Sequence, residues 1–206
     1  MFSLHTFRHA QGFHNVAGEA DYLAYKNEEF EDASLTPKGE AQCAALNSSC
    51  MESTIGSTSD LLVVSPMRRT LSTAMHSFPG FVRKIPWLAH ETLREMAGEH
   101  PCDRRRPISE HSVTYPNIDF TLIEKNEDPL YYLSPGRESE DSVTERAHNF
   151  FIWLASREEK EIIVVTHSAF LKNIFGNVLE VEKASEEGKC GNFMNCEMKS
   201  YTLFLA

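Results

Sequence analysis

Side chains that can bind or attack a phosphoryl group occur at four separate places in this 206-residue chain. They are Arg8 and His9 in FRHAQGFHN, Arg68 and Arg69 in SPMRRT, Glu95 in LREMAGEH, and His167 and Ser168 in VTHSAF. A neutral imidazole can attack phosphorus and form a covalent intermediate, and guanidinium groups bind phosphoryl oxygens through paired N–H donors. A carboxylic acid can protonate the leaving oxygen and, as a carboxylate, accept a proton from water. Together these groups could transfer a phosphoryl group with no metal ion or other cofactor.

Composition restricts the classes of ligand. Thirty acidic residues against 20 basic ones give a formal net charge of −10, whereas a nucleic-acid-binding domain usually carries a basic face. The dense basic cluster Arg104–Arg106 stands out on such an acidic chain, and a compact cationic site favours a small anionic ligand. We therefore expect a small phosphorylated substrate, with a phosphoprotein as the alternative, and no nucleic-acid partner.

The chain also lacks the sequence signs of membrane insertion and export. No apolar run approaches the roughly 20 residues of a membrane span, and the first residues lack the regions of a signal peptide. The five cysteines are odd in number and irregularly spaced, which favours reduced thiols. Cys190 and Cys196 are the closest pair and are interpreted as loop thiols. We expect a cytoplasmic protein that does not bind membranes, with the nucleus as the alternative location.

Apolar patterning predicts alternating strands and helices. Strands are expected at about 2–7, 61–64, 85–88, 162–165 and 199–205, and helices at about 37–51, 66–77, 143–154 and 169–179, with a turn at 56–59. Two helices carry an N-cap residue followed by proline at the first helical position, namely Thr36-Pro37 and Ser65-Pro66. The strands at 61–64 and 162–165 are continuous apolar runs, as expected where both faces of a sheet are buried.

This alternation predicts an α/β fold with helices on both faces of a largely parallel sheet. The length favours one domain covering residues 1–206. Residues from about 99 to 135 fit no strand–helix unit and contain five prolines. We interpret this segment as an ordered insertion, and insertions of this length are often substrate-binding loops.

The polar residues that follow the strands are expected to meet, because ligands bind at the carboxyl ends of parallel strands. The residues concerned are Arg8, His9, Gln11, His14 and Asn15 after the first strand, Ser65, Arg68 and Arg69 after the second, Glu95 and Glu99 in LREMAGEH, and Thr166, His167 and Ser168 after the last buried strand. Each one alone is typical of a structural or solvated position. Their joint arrival at one edge of one sheet indicates a site.

Four motifs, in order, resemble those of the histidine phosphatase (phosphoglycerate mutase-like) superfamily. TFRHAQGFHNVAGE is similar to its Arg-His-Gly signature with a following asparagine, and VVSPMRRTLSTA to its second arginine motif. LREMAGEHPCDRRRPISE and VTHSAFL are similar to its acid and second-histidine motifs. The forms RHAQGxHN and HPCDRRR are closest to those of plant and fungal phosphoglycerate mutase-like proteins. The resemblance runs from residue 6 to about 171 and implies a three-layer α/β/α sandwich with a mainly parallel central sheet.

The resemblance assigns a role to each motif residue. His9 would be the nucleophile that becomes phosphohistidine, Glu95 the proton donor, and His167 the residue that completes the catalytic pocket. The phosphate-binding groups it implies are Arg8, Asn15, Arg69 and the Ser168 N–H. Arg68 falls on a variable position of the family pattern.

The chain departs from the family pattern at two small residues. Ala10 and Ser168 stand where the family commonly has glycine, and both are compatible with activity. Glu99, one helical turn from Glu95, is a minority alternative for the acid. The remaining candidates for substrate contacts are Gln11, His14, Arg104, Arg105 and Arg106. A solvated, salt-bridged surface accounts equally well for the three arginines, and a structural role in the turn is favoured for His14.

Several activities are compatible with these residues. We expect a metal-independent, histidine acid phosphatase-type phosphoric monoester hydrolase, in which water removes the phosphoryl group from His9. Phosphoglycerate mutase-type transfer is the alternative, although VAGEADYLAYKNEEF differs from the tryptophan-bearing segment of glycolytic mutases. A weakly active binding or regulatory member is a further alternative. A metal site on His9, His14 and His167 is disfavoured, because no carboxylate sits at ligand spacing.

Overall fold

The computed structural model describes residues 1–53, 55–81, 84–131, 136–178 and 193–204. Over these residues one sheet is formed in the order β3-β2-β4-β1-β5. Its strands are β1 (Phe2–Arg8), β2 (Leu61–Val64), β3 (Trp87–Ala89), β4 (Glu161–Thr166) and β5 (Met198–Leu203). The first four are parallel, and β5 runs antiparallel to β1 at the edge. The predicted mainly parallel sheet is confirmed.

Helices connect the strands and cover the sheet. They are α1 (Phe13–Ala20), α2 (Pro37–Glu52), α3 (Ile55–Thr58), α4 (Arg68–Ser77), α5 (Ile108–Thr114), α6 (Glu140–Ala155) and α7 (Ser168–Asn173). Short 3₁₀ turns occupy Tyr22–Lys26, Glu28–Phe30, Glu91–Leu93 and Pro101–Asp103, and a π-helical turn, Ile174–Val178, continues α7. No described helix has both the length and the apolarity to cross a lipid bilayer.

The local helix signals succeed in one case and fail in another. The Thr36 hydroxyl accepts a hydrogen bond from the Gly39 N–H at 3.0 Å and caps α2, as predicted. The predicted Ser65 cap is wrong, because α4 begins at Arg68 and the Ser65 side chain is bound to His167. The turn predicted at 56–59 lies largely within α3.

Three other predictions extend beyond the described residues. The helix predicted to begin at 169 begins at Ser168, and its predicted end, Leu179, lies outside the described residues. The last strand runs over Met198–Leu203, whereas its predicted end, Leu205, also lies outside them. Cys190 lies outside them as well, so the interpretation of Cys190 and Cys196 as loop thiols stays a prediction.

Alternate side chains of β2 enter two different hydrophobic clusters. Leu61 and Val63 pack into the cluster that contains α6 and α7. Leu62 and Val64 pack into the cluster that contains α4 and residues 115–123. Because side chains alternate across a strand, the sheet is buried on both faces, and the predicted three-layer α/β/α sandwich is confirmed.

The segment predicted as an insertion is packed against the core. Its described part, 99–131, contains one 3₁₀ turn and α5, and Asp119 forms a parallel bridge with Leu88 of the edge strand β3. Tyr115, Ile118 and Phe120 are buried in the α4-side cluster. The 3₁₀ turn over residues 101–103 is the part of this segment that reaches the candidate site.

Candidate active site

The sheet topology brings together two histidines that are far apart in the chain. Because β1 and β4 are neighbours and parallel, their carboxyl ends coincide, with Arg8 in register with Thr166. His9 and His167 follow directly, and their ring centroids are 5.2 Å apart. The order of the strands therefore brings two imidazoles together at the carboxyl ends of the parallel strands.

A cavity of about 300 Å³ opens at these strand ends. The predicted site residues that line it are Arg8, His9, His14, Asn15, Arg69, Glu95 and Ser168. His167 does not line the cavity but lies fully buried against His9 and Arg69. The residues on which the sequence argument depended are thus gathered in one place.

The orientation of His9 leaves one nitrogen available for attack. Its Nδ1 lies 2.7 Å from the Ala10 carbonyl oxygen, and because a carbonyl can only accept, Nδ1 carries the proton and Nε2 carries the lone pair. Burial, followed by the positive charge of Arg69, holds the pKa of His9 well below its usual value. The ring is therefore neutral at physiological pH, as a nucleophile must be.

The backbone around His9 is held from the opposite side by the C-terminal segment. The Asn195 side-chain amide donates to the His9 carbonyl at 3.0 Å. The Cys196 N–H lies 3.2 Å from the Arg8 carbonyl and 3.3 Å from that of His9. Thr73 of α4 accepts from the Ala10 N–H at 3.0 Å. These bonds fix the position of the imidazole before any ligand binds.

Arg69 is a buried guanidinium held by three different partners. Its side chain is 1% exposed, and it donates to the Cys102 carbonyl at 2.6 Å, to Asp103 at 2.9 Å and to His167 Nδ1 at 3.3 Å. Arg68, by contrast, is exposed, and its N–H donates to Asp32. The structure thus places the second arginine of SPMRRT, and not the first, at the cavity.

His167 is held in one tautomer by its two neighbours. A guanidinium can only donate, so Nδ1 accepts from Arg69, and Nε2 carries the proton that is donated to the Ser65 hydroxyl at 2.8 Å. Burial, with the positive charge of Arg69, lowers the pKa of His167 well below its usual value. In the free site this second imidazole is therefore neutral.

Glu95 has the environment of a general acid. Its carboxyl oxygens accept the Met96 N–H at 2.9 Å and the Ala169 N–H at 3.3 Å. Burial, and after it the nearby Asp103 carboxylate, raises the pKa of Glu95 above its usual value. Glu99, the minority alternative, is exposed and pairs with Lys26 at 2.9 Å outside the cavity lining.

Two arginines, the buried Arg94 and the half-buried Arg146, fix the loop that carries Glu95. Arg146 of α6 donates to the Thr92 carbonyl at 2.6 Å and to the Arg94 carbonyl at 3.2 Å. Arg94 donates in turn to Asp128 at 2.7 Å and to the Asp103 carbonyl at 2.6 Å. Sequence reasoning missed these positioning residues, because their partners are 9 to 54 positions away.

Four of the predicted substrate contacts lie outside the cavity lining. The Gln11 side chain accepts from Thr36 at 2.9 Å, and Arg104 pairs with Glu28 and Glu31, each at 2.6 Å.

The other two arginines of the cluster are also engaged elsewhere. Arg105 is buried, pairs with Glu91 at 3.2 Å and donates to four backbone carbonyls, and Arg106 is exposed beside Glu110. Among the predicted substrate contacts, the structure brings His14 alone to the cavity.

Other side chains reach the cavity without having been predicted. They are Tyr22, Tyr25, His100, Cys102, Asp103, Arg137 and Lys172, with Ala169. Lys172 could have been found, because it lies four positions after Ser168 on the same face of α7. Arg137 lies in a segment with no recognised pattern, and nothing in the sequence pointed to it.

No group of three or more His, Cys, Asp or Glu side chains with metal-binding geometry occurs in the described parts of the chain. The set in the cavity instead combines a neutral imidazole with a free lone pair, the guanidinium donors of Arg8 and Arg69, and a protonatable carboxyl group. A mainly parallel α/β sandwich with this set at the strand ends has the groups that phosphoryl transfer requires.

Comparison with known proteins identifies the family of the chain. Residues 5–199 match the model of the Histidine phosphatase superfamily (branch 1), and the chain belongs to this family. It is 38% identical over 201 residues to a phosphoglycerate mutase-like protein of Arabidopsis thaliana, covering 85% of this chain and 74% of that protein. It is 35% identical over 229 residues to phosphoglycerate mutase-like protein 1 of the same plant, covering 98% and 80%.

Solved structures share the fold at low sequence identity. An ecdysone phosphate phosphatase from Bombix mori in complex with tungstate has a TM-score of 0.61 at 14% identity, covering 97% of this chain and 88% of that one. A phosphoglycerate mutase from Bacillus anthracis has a TM-score of 0.60 at 15% identity, covering 97% and 86%. These similarities support the fold and include both phosphatases and mutases.

Proposed function

We propose that this protein hydrolyses phosphate monoesters through a covalent phosphohistidine on His9. The observation that carries the proposal is the tautomer of His9. Its Nδ1–H is bound to Ala10, so the lone pair is on Nε2, in a cavity also lined by Arg8, Arg69 and Glu95. A nucleophile, cationic donors and a carboxyl group with a raised pKa thus line one cavity before substrate binds.

The first step transfers the phosphoryl group to the enzyme. Arg8, Arg69, the Asn15 amide and the Ser168 N–H bind the phosphoryl oxygens. His9 Nε2 attacks phosphorus, the phosphorus–oxygen bond to the alcohol breaks, and Glu95 gives its proton to the leaving oxygen. The products of this step are a free alcohol, a phosphohistidine and a Glu95 carboxylate.

The second step releases phosphate. The Glu95 carboxylate takes a proton from a water molecule, whose oxygen attacks phosphorus as the Nε2–phosphorus bond breaks. Inorganic phosphate, neutral His9 and protonated Glu95 result, so the site returns to its starting state. None of these steps uses a metal ion, and we expect full activity in the presence of a chelator.

His167 acts on the developing charge through Arg69. Its low pKa keeps it neutral, and its Nδ1 accepts from the Arg69 guanidinium at 3.3 Å. This bond holds Arg69 in position, where the guanidinium can share the negative charge of the transition state.

Phosphoglycerate mutase-type transfer is the second candidate, and the names of the Arabidopsis relatives favour it. It would use the same phosphohistidine but return the phosphoryl group to a sugar acid. Incubation with 3-phosphoglycerate separates the two activities: hydrolysis releases inorganic phosphate, whereas a mutase forms 2-phosphoglycerate.

Trapping of the phosphoenzyme tests the proposal. Rapid quenching with a radiolabelled phosphate ester should give a phosphoprotein that is labile in acid and stable in alkali, and His9→Ala should abolish both this species and turnover. His76→Ala is the matched control, since His76 lies on the exposed surface of α4. Wild-type turnover by His9→Ala would refute the mechanism.

A further inference from the structure

The cavity holds more positive charge than a phosphoryl group needs. Its cationic lining residues among those described are Arg8, Arg69, Arg137 and Lys172, and its carboxylates are Glu95 and Asp103. Burial lowers the pKa of each lining histidine, so the histidines add no charge at neutral pH. With Glu95 protonated for its acid role, a phosphate ester carrying nearly two negative charges leaves about one positive charge uncompensated.

The cationic groups lie at different depths. The Arg69 side chain is 1% exposed and that of Arg137 is 29% exposed, while Lys172 lies on the exposed surface of α7. The nucleophile His9 is 2% exposed. The phosphoryl group therefore belongs at the inner end with Arg69, and Arg137 and Lys172 face the part of the substrate nearer the mouth.

Arg137 is held in place before a ligand arrives. It donates to Asp103 at 3.0 Å and to His100 Nδ1 at 2.5 Å, and the His100 ring stacks on Tyr25 with centroids 5.4 Å apart. A guanidinium fixed in this way loses little conformational entropy on binding an anion.

One carboxylate sets the spacing between the inner and outer cations. Asp103 accepts from Arg69 through Oδ1 at 2.9 Å and from Arg137 through Oδ2 at 3.0 Å. The two guanidinium groups are thus separated by the width of one carboxyl group. A second anion bound by Arg137 would lie only a few bonds from the phosphoryl group, which agrees with the small cavity of about 300 Å³.

We propose that Arg137 and Lys172 form a subsite for a second anionic group on the substrate. The preferred substrates are then compact phosphate monoesters that also carry a carboxylate or a second phosphate. This inference rests on the proposed phosphatase function and adds the substrate class to it.

A matched set of three-carbon esters tests the subsite. The set comprises propyl phosphate, the phosphate ester of 3-hydroxypropanoate and propane-1,3-diol bisphosphate, which differ in the group at the far end. We expect kcat/KM to be on the order of 10-fold or more higher for at least one of the two doubly anionic esters than for propyl phosphate. The combined variant Arg137→Gln, Lys172→Met should lose this preference chiefly through KM.

Arg157→Gln is the matched control. Its side chain is 31% exposed and pairs with one glutamate, as Arg137 pairs with one aspartate, but it does not line the cavity. The control should keep the wild-type preference, and circular dichroism and melting temperature should show that all variants fold.

Binding of phosphonates separates the failure of this inference from that of the phosphatase proposal. Calorimetry should show tighter binding of 3-phosphonopropanoate than of propylphosphonate in the wild-type protein and a smaller difference in the double variant, whether or not any ester is hydrolysed. Equal kcat/KM for all three esters, or equal affinity for both phosphonates, would overturn the subsite while leaving hydrolysis itself intact. Tighter phosphonate binding without turnover would support the subsite and count against the phosphatase.

Discussion

Replacing Asp103 by asparagine should make the site bind inorganic phosphate more tightly while making the empty protein less stable. Asp103 is 4% exposed and is shared by Arg69 and Arg137 at 2.9 and 3.0 Å. Asparagine is uncharged and has one side-chain oxygen, so at least one guanidinium loses its partner. Removing one member of a buried ion pair costs about 3 kcal/mol of the free energy of unfolding.

Phosphate should restore part of this loss. Arg69 keeps its bonds to the Cys102 carbonyl and to His167, so it stays aimed at the phosphoryl position with its charge no longer offset. A tenfold gain in phosphate affinity is about 1.4 kcal/mol, and at saturation this appears in full as added stability. For a chain of this size it corresponds to roughly 4 °C of melting temperature.

Thermal unfolding with and without phosphate measures both effects. Asp103→Asn should melt below the wild type without phosphate and gain more than the wild type when phosphate is added. Asp119→Asn is the control, since Asp119 is exposed and its carboxylate accepts only a local N–H, from Thr121. If phosphate raises the melting temperature of Asp103→Asn no more than that of the wild type, the assignment of Arg69 to phosphate is wrong.

Three further predictions concern protonation and hydrogen bonding. Since the pKa of His9 is lowered and that of Glu95 is raised, kcat/KM should be retained at mildly acidic pH and fall as Glu95 ionises at higher pH; a rise from pH 5 to pH 8 would contradict this. Ser65→Ala removes the acceptor of the His167 Nε2 proton. It should lower the free energy of unfolding, measured in urea, by about 1–3 kcal/mol and should also lower kcat. In a His167→Ala background, Ser65→Ala should change neither quantity. Burial lowers the pKa of His90 to about 4, whereas the unfolded value is about 6.5. His90 therefore contributes stability that is complete above about pH 6.5 and is lost as pH falls towards 4, and His90→Gln should reduce the stability change between pH 7 and 4.5 by about 2 kcal/mol.

The sheet could be predicted because its signals are local. Strand β2 and residues 162–165 of β4 are continuous apolar runs, and Thr36 caps α2 through a contact three residues away. Ser65 carried the same cap signal and failed, because its hydroxyl is bound to His167, 102 positions further on. A cap signal holds only while no distant side chain competes for the same oxygen.

The sequence predicted the site residues that directly follow strands. It did not predict the residues that contacts between loops bring to the site. His9 and His167 follow neighbouring strands, so strand order alone brings them together. The sequence left the role of the basic cluster open, because the acidic partners of Arg104 lie 73 and 76 positions before it and no local pattern indicates such pairings. Arg137 was missed for the same reason, since its place at the cavity depends on contacts with the distant Asp103.

β1, which ends directly before His9, is separated by a long stretch of sequence from both of its neighbours in the sheet. β1 pairs with residues 161–166 on one side and 198–203 on the other. Asn195, which lies between these two segments in the sequence, donates a hydrogen bond to the His9 carbonyl. Pairings over such long sequence separations form slowly and only after the distant segments have been synthesised. During translation β1, which directly precedes His9, therefore stays unpaired, and the ribosome-bound chain should be unable to form a phosphoenzyme until β5 has emerged.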